Sequence, residues 1–163
     1  MFKVGIITAS DKGYGGERED LSGKKIMDLL PKDKYAVIDY KLLPDEEELL
    51  SNEMINMSDE LGCDLVLTTG GTGFSKRDIT PEATLKIATR NASGIAEAIR
   101  MYSIQITKRA MLSRGVSVIR NNTLIINLPG SVKAVEESLT YILDTLFHGL
   151  EILLGQTTEC GRQ

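Results

Sequence analysis

The residues with the clearest chemical potential lie where an apolar run ends in a glycine-rich turn. The run covers 64–69, and the turn that follows it consists of Gly70, Gly71, Thr72 and Gly73. Glycine amides can approach phosphate oxygens closely because no Cβ blocks them. The carboxylate of Asp78, shortly downstream, can hold a metal ion against such a phosphate. The pattern therefore favours phosphate chemistry on an α/β scaffold.

A second interpretation of the same turn is purely structural. The sequence lacks the Gly-Lys-Ser/Thr of a P-loop, and it does not match the Gly-x-Gly-x-x-Gly of dinucleotide-binding proteins. Glycines at the end of a strand often form only a tight turn. Asp78 precedes the Thr-Pro-Glu sequence that begins a helix, where an aspartate often serves as a cap or a solvated loop residue. On the motif alone, both interpretations stand.

The composition is that of a globular protein with no affinity for nucleic acid. The chain has 163 residues, of which 42% are hydrophobic and 26% charged, and this is enough for one domain with a sizeable core. Its net charge of −4 provides no general attraction for a nucleic-acid backbone. Aromatic residues make up 5%, too few for a stacking surface on single strands. Positive potential for an anionic substrate must therefore be local.

The cysteines and the single histidine offer little chemistry. Cys63 and Cys160 have no Cys-x-x-Cys partners, so we expect free thiols in a reducing compartment and no zinc site. His148 lies in an apolar helical stretch, where a partly buried position near a surface is expected. The sequence has neither a signal peptide nor an apolar run long enough for a membrane span, which predicts a cytoplasmic protein without membrane contact.

Alternating strand and helix patterns predict the fold class. We expect one three-layer α/β/α domain over residues 1–155 with a mostly parallel central sheet, followed by a polar C-terminal tail at 156–163. The expected strands are 4–9, 36–43, 64–69, 116–120 and 123–128, and the expected helices are 21–30, 46–61, 80–89, 94–107 and 132–154. Strands 4–9 and 64–69 should be buried neighbours, and the last two strands should form an antiparallel hairpin.

Four segments follow the carboxyl ends of predicted strands, where open α/β sheets bind ligands. They are 10–20, 44–45, 70–78 and 127–131. Their polar and turn-forming residues should converge in space and line one pocket. Besides the glycine turn and Asp78, the candidate residues in or next to these segments are Ser10, Asp11, Asp20, Ser22, Asp45, Asn127, Pro129, Gly130 and Ser131.

Taken together, these segments resemble a known family. The sequences at 8–11, 20–23, 44–45, 68–73, 77–84, 112–114 and 127–131 are similar to those of the molybdopterin adenylyltransferases, small proteins of molybdenum cofactor biosynthesis that are related to the G domain of gephyrin. The resemblance covers residues 3–154. It is more specific for the fold than for one member, because molybdenum insertases and a competence-damage type domain share the fold.

The resemblance implies transfer of AMP from Mg·ATP to the terminal phosphate of molybdopterin, with release of pyrophosphate. It also implies a trimer or hexamer, and a separate molybdenum insertase that receives the product. The functional acidic residues of the family match Asp45 and Asp78, which would act in catalysis and jointly hold Mg²⁺. The alternative is a molybdopterin-binding or carrier protein with the same pocket and no turnover. Retention of both aspartates favours the enzyme.

The residues are compatible with this chemistry. The attacking phosphate is already anionic, so the reaction requires charge neutralisation and in-line placement and no strong base. The lack of a catalytic histidine is therefore no obstacle. Ser10, Asp11, Asp20 and Ser22 would line the mouth of the first strand, and 127–131 would shape the pocket wall. The residues at the mouth of the first strand could contact either the nucleotide or the pterin, and the same holds for 127–131.

Overall fold

The computed structural model describes residues 1–157 of the chain. Cys160 and most of the predicted tail lie outside the described residues. The strands are β1 (Phe2–Ala9), β2 (Tyr35–Leu43), β3 (Leu65–Thr69), β4 (Arg90–Asn91), β5 (Ser117–Arg120) and β6 (Thr123–Leu128). The helices are α1 (Asp11–Tyr14), α2 (Leu21–Leu29), α3 (Glu47–Ile55), α4 (Thr80–Lys86), α5 (Ser93–Ile106) and α6 (Val132–Leu153).

Within residues 1–157 the strands form one six-stranded sheet in the order β2-β1-β3-β6-β5-β4. The first four strands in this order are parallel, and β5 and β4 are antiparallel to their neighbours. The predicted pairing of β1 with β3 is confirmed, as is the hairpin of β5 and β6. Thr69 of β3 pairs with Thr8 of β1 and with Leu128 of β6, so the carboxyl ends of these strands are level.

Two apolar cores cover the two faces of the sheet. Alternate residues of β3 point to opposite faces, so Leu65 and Leu67 join one core while Val66 joins the other. The first core contains residues of α2, α5 and α6, and the second contains residues of α3 and α4. The predicted three-layer α/β/α architecture is therefore confirmed.

Several local predictions differ from the structure. The segment 10–20 contains the short helix α1, which was not among the expected helices and begins with a hydrogen bond from the Gly13 amide to Ser10 Oγ. The two-residue strand β4 was not expected. The predicted helix 46–61 is α3 followed by a π-helical turn, Asn56–Glu60, and a 3-10 helix, Lys108–Leu112, follows α5.

The long helices are amphipathic, and none can cross a bilayer. Val135, Leu139, Ile142, Leu146 and Leu150 of α6 repeat at three- and four-residue spacing and are buried against the sheet. In residues 1–157 no helix is both long and apolar enough to span a membrane.

Candidate active site

A cleft of about 730 Å³ lies at the carboxyl ends of β1, β2 and β3. Its position follows from the level carboxyl ends of the parallel strands, whose loops meet at this edge of the sheet. The predicted site residues that line it are Ser10, Asp11, Asp20, Ser22, Asp45, Gly70, Gly71, Asp78, Gly130 and Ser131. The structure therefore brings together residues from segments that lie far apart in the sequence.

The glycine turn at the end of β3 has a shape that only glycine adopts easily. Gly70 has φ +90° and Gly71 has φ +67°. A Cβ on Gly70 would overlap the carbonyl oxygen of Ala9, and a Cβ on Gly71 would overlap Thr80 Oγ1. Thr80 also fixes the turn, because its N–H donates to the Gly71 carbonyl at 3.1 Å and its hydroxyl donates to the Gly70 carbonyl at 3.0 Å. The turn is both sterically tight and part of the cleft wall.

Asp45, just after β2, places one carboxylate oxygen against this turn. Its Oδ2 accepts a 3.0 Å hydrogen bond from the Asp11 amide, and its own amide donates to Asp11 Oδ1 at 3.0 Å. Its Oδ1 is buried and has no hydrogen-bond partner. A Cβ on Gly71 would lie 3.0 Å from that oxygen. Burial raises the pKa of Asp45, and the negative charges of Asp11 and Asp78 raise it further.

Asp78 lies next to the last glycine of the same turn. Its Oδ2 accepts a 3.0 Å hydrogen bond from the Ser75 amide, and a Cβ on Gly73 would lie 2.9 Å from this oxygen. Arg114 holds the surrounding backbone, because its guanidinium donates to the carbonyls of Gly73 at 2.8 Å and Asp78 at 2.6 Å. The carboxylates of Asp45 and Asp78 therefore flank one glycine turn.

Asp11 is bound by an arginine from the loop after β3. Arg77 Nε and Nη2 each donate to one oxygen of the Asp11 carboxylate at 2.9 Å, and Nη2 also donates to Glu46 at 2.9 Å. The hydrogen bonds from Arg77 hold the pKa of the Asp11 carboxyl below its usual range. Both sides of this ion pair line the cleft.

Asp20 is saturated with hydrogen-bond donors from the protein itself. Thr8 Oγ1 donates at 2.7 Å, the Gly23 amide at 2.9 Å and Ser22 Oγ at 3.2 Å, and the Tyr40 hydroxyl donates as well. Burial raises the pKa of Asp20, but these hydrogen bonds outweigh it and leave the pKa below its usual value. Burial and Asp20 together raise the pKa of Tyr40 to about 12. The carboxylate caps α2 and shapes the cleft wall.

Ser10 and Ser131 begin helices at the cleft. Ser10 Oγ accepts a hydrogen bond from the Gly13 amide at 3.0 Å, and Ser131 Oγ accepts one from the Ala134 amide at 3.2 Å. Both are N-caps, at α1 and α6. Next to Ser131, Gly130 packs against the glycine turn. A Cβ added at Gly130 would lie 3.3 Å from the Cα of Gly70.

Four predicted site residues lie outside the cleft lining: Thr72, Gly73, Asn127 and Pro129. The expectation that Asn127 shapes the pocket wall needs correction, because its side chain is buried inside the fold. Its amide donates to Thr68 Oγ1 and Thr84 Oγ1 at 2.9 Å each, and its Oδ1 accepts from the Val116 amide at 3.1 Å. The group ties β6 to β3, α4 and the start of β5.

The Pro129 carbonyl has an equally structural role. It accepts a 2.7 Å hydrogen bond from Thr69 Oγ1, which joins the ends of β6 and β3. Thr72 is buried, and its carbonyl accepts a 2.8 Å hydrogen bond from the Arg114 amide. Thr72 and Pro129 therefore stabilise the residues that line the cleft and do not line it themselves.

Two cations in the cleft were not among the predicted site residues. Lys12 of α1 and Arg18 of the following loop both line it. Among residues 1–157, neither has an ion-pair partner, whereas Arg77 is paired. The sequence signal was the presence of basic residues in a segment that follows a strand end. Free cations here supply the local positive potential that an anionic ligand requires.

The donor set is compatible with a magnesium ion that is shared with a phosphate ligand. In the described part of the chain no group of three or more His, Cys, Asp or Glu side chains is placed to hold a metal. Mg²⁺ needs only one or two protein carboxylates when phosphate oxygens and water complete its shell. The buried, unpartnered Oδ1 of Asp45 is the oxygen that such a cation would satisfy. Asp45 and Asp78 fit this role.

A mostly parallel α/β sheet with a glycine turn, two carboxylates and two cations without ion-pair partners at its carboxyl edge is compatible with a phosphorylated ligand. The family model described as "Probable molybdopterin binding domain" matches residues 5–148. The molybdopterin adenylyltransferase of Helicobacter pylori J99 is 42% identical over 154 residues, which are 93% of this chain and 88% of that protein. The Escherichia coli K12 molybdopterin adenylyltransferase is 36% identical over 91% of this chain and 79% of its own.

A solved structure agrees with these sequence matches. The molybdopterin biosynthesis enzyme MoaB from Thermus thermophilus superposes with a TM-score of 0.90 at 44% identity, covering 95% of this chain and 98% of its own. The chain therefore belongs to the molybdopterin-binding domain family of molybdenum cofactor biosynthesis. The resemblance inferred from the sequence motifs is confirmed.

Proposed function

We propose that this protein acts in molybdenum cofactor biosynthesis as a molybdopterin adenylyltransferase. It transfers AMP from ATP to the terminal phosphate of molybdopterin and releases pyrophosphate. Relatives with this activity in their names are 36% to 42% identical over about nine tenths of the chain. We also propose that residues 1–155 act as one molybdopterin-binding domain.

The observation that carries this proposal is the convergence of Asp45 and Asp78 on one cleft at the glycine turn, with Asp45 next to Gly71 and Asp78 next to Gly73. The buried Oδ1 of Asp45 has no hydrogen-bond donor, although burial and neighbouring negative charges disfavour its ionised form. An oxygen in this position gains most from a cation. A nucleotide with its magnesium ion supplies both the cation and the phosphates that glycine amides bind.

The residues of the cleft provide charge neutralisation and positioning. Gly70 and Gly71 line the cleft, where their amides would bind phosphate oxygens, and Lys12 and Arg18 would offset the negative charge of two phosphorylated substrates. Asp45 and Asp78 would hold Mg²⁺, which when bound neutralises charge that develops on the transferring phosphoryl group. No general base is required, because the molybdopterin phosphate attacks as an anion. His148 is exposed on α6 and pairs with Glu151.

One experiment separates this function from molybdopterin binding without turnover. Purified protein is incubated with molybdopterin and ATP labelled at the α-phosphate, and the label is followed into molybdopterin. We expect transfer that depends on Mg²⁺ and is lost on chelation. Tight molybdopterin binding without label transfer would instead assign the protein the carrier role.

The assembly of the protein is a further part of the proposal. A homotrimer, or a hexamer built as a dimer of trimers, would cover apolar side chains that the single chain leaves exposed on α5 and α6, such as Met101, Ile106 and Tyr141. A groove between these helices is lined by Tyr141, whose ring stacks on that of Tyr102 with the ring centroids 4.2 Å apart. Light scattering at micromolar concentration should give the mass of a trimer or hexamer, and a monomer would refute this assembly.

The adenylylated product would pass to a molybdenum insertase.

A further inference from the structure

One arginine connects three of the segments that follow strand ends at the cleft. Arg77 lies in the loop after β3, Asp11 follows β1, and Glu46 follows β2. The guanidinium of Arg77 donates two hydrogen bonds to Asp11 and one to Glu46, all at 2.9 Å. A two-pronged pair of this kind fixes the orientation of both groups as well as their distance. The ion pair therefore determines how the loops face one another.

The ion pair reaches Asp45 through the backbone of Asp11. The Asp11 amide binds Oδ2 of Asp45, and Oδ1 of Asp11 accepts the Asp45 amide. Rotation of the Asp45 carboxylate would break the first bond, and displacement of its backbone would break the second. The hydrogen bonds of Asp11 thus link Arg77 to Asp45, whose unpartnered Oδ1 lies against Gly71.

Arg77 differs from the other cations of the cleft in this respect. Lys12 and Arg18 have no ion-pair partners within residues 1–157 and are available to a ligand. Arg77 uses Nε and Nη2 on two carboxylates, and releasing them would leave Asp11 and Glu46 without their partner. Arg77 therefore binds other residues of the protein, although its side chain also lines the cleft.

We infer that Asp11 and Arg77 are positioning residues for adenylyl transfer: their ion pair holds the carboxylate of Asp45 in the orientation that receives the metal–nucleotide complex. The inference rests on the proposed function for its ligand. It predicts that loss of either partner of the ion pair weakens binding of the metal–nucleotide complex while the fold and the binding of molybdopterin persist.

The variants are Arg77→Gln, Asp11→Asn and the double substitution, with Arg120→Gln as a matched control. Asp11→Asn keeps an oxygen for the Asp45 amide but removes the charge that binds Arg77. Arg120 pairs with Asp59 through bonds of 2.5 to 3.2 Å and does not line the cleft. Its loss therefore reports the cost of breaking an arginine–aspartate pair elsewhere in the fold.

The readout is binding of Mn²⁺ with α,β-methylene-ATP, followed by electron paramagnetic resonance, together with thermal unfolding. We expect Arg77→Gln and Asp11→Asn each to weaken Mn²⁺ binding about ten-fold, the range typical of lost support for a metal ligand. The double variant should cost no more than either single variant, because both interrupt one path to Asp45. Molybdopterin affinity should remain within about two-fold, and unfolding temperatures should fall no further than in Arg120→Gln.

Several outcomes would overturn the inference. Unchanged Mn²⁺ binding in the single variants would show that Asp45 needs no support. Weaker binding in Arg77→Gln with unchanged or tighter binding in Asp11→Asn would show that Arg77 binds the phosphates directly. Lack of Mn²⁺ binding by the wild-type protein would overturn it as well. The proposed function fails separately, if the wild-type protein binds the complex but transfers no AMP to molybdopterin.

Discussion

Gly71 and Thr80 pack so closely that residue 71 has no room for a side chain. A Cβ on Gly71 would overlap Thr80 Oγ1, and this hydroxyl is held by its own bond to the Gly70 carbonyl. Thr80 is fully buried at the start of α4, so it cannot move aside without disturbing the helix. The contact and the two hydrogen bonds from Thr80 therefore hold the glycine turn in its place in the cleft lining.

The first prediction concerns this contact. Gly71→Ala should abolish or strongly weaken ATP binding, because the turn must move to relieve the overlap with Thr80 and the approach to Asp45 Oδ1. Backbone strain at φ +67° should cost about 1–3 kcal/mol of stability, with the protein still folded. Calorimetric titration with ATP measures the first effect, and urea unfolding measures the second.

Gly62→Ala is the matched control for this substitution. Gly62 has a similar φ of +62°, but a Cβ there would meet no atom within 4 Å. Both variants should be destabilised by the positive φ, and only Gly71→Ala should lose ATP binding. Wild-type ATP affinity in Gly71→Ala would mean that the glycines form a turn and nothing more.

The second prediction tests the corrected role of Asn127. Asn127→Ala should destabilise the fold by about 1–3 kcal/mol for each buried polar group left without a partner, beginning with the Val116 amide. The folded variant should bind molybdopterin almost as the wild type does. Urea unfolding and a binding titration measure the two effects. The control is Asn122→Ala, which changes an exposed asparagine in a turn. If Asn127→Ala lost molybdopterin binding but kept its stability, the prediction that Asn127 shapes the pocket wall would stand after all.

Much of the fold was readable from the sequence because its strands carry distinct patterns. The apolar runs that include β1 and β3 predicted two buried neighbouring strands, and the structure pairs these strands inside the sheet. Because parallel strands end at one edge, the same reasoning placed Asp45 and Asp78 at one cleft. These inferences depend only on local composition and on a general rule of sheet geometry.

The parts that were missed depend on contacts between distant residues. Asn127 lies in β6, where every residue is buried, so no alternation shows which side chain faces the cleft and which the interior. Arg77 and Asp11 are separated by 66 positions, and nothing local reveals which of the many charges will pair. Strand β4 has two residues and is too short to leave a periodic signal.

The third prediction is a pH dependence of stability that arises from an ion pair outside the cleft. Hydrogen bonds from Arg120, with a smaller contribution from Asn121, hold the pKa of Asp59 below its usual value. A lowered pKa in the folded state stabilises the protein at pH values above the unfolded pKa of about 3.9. That contribution is lost as the pH falls through the folded pKa, where both states are protonated.

Asp59→Asn tests this sign. The variant should be less stable than the wild type by about 0.5–1 kcal/mol at neutral pH, since the pair is partly exposed. The difference should shrink as the pH falls below about 4. Urea unfolding of both proteins across the acid range measures it. A difference that is constant with pH would show that the Asp59 charge contributes nothing to folding.

The fourth prediction concerns the two carboxylates that flank the glycine turn. Asp78→Asn should leave molybdopterin binding nearly intact and cut adenylyl transfer by orders of magnitude, because the Mg²⁺ that the carboxylate would hold neutralises charge that develops in the transition state. Asp45→Asn should behave alike, with a further loss of Mg²⁺ dependence because the unpartnered oxygen next to Gly71 no longer carries charge. Single-turnover assays and molybdopterin titrations separate the two effects.

The double variant decides whether both residues serve one ion. If they do, Asp45→Asn combined with Asp78→Asn should cost little more than either single substitution, since the first already removes the shared function. Asp28→Asn, which changes an exposed carboxylate of α2 outside the cleft, controls for the lost charge. Multiplied losses would mean independent roles for the two aspartates. Full turnover in Asp78→Asn would contradict the metal site itself and leave the reaction without a role for Asp78.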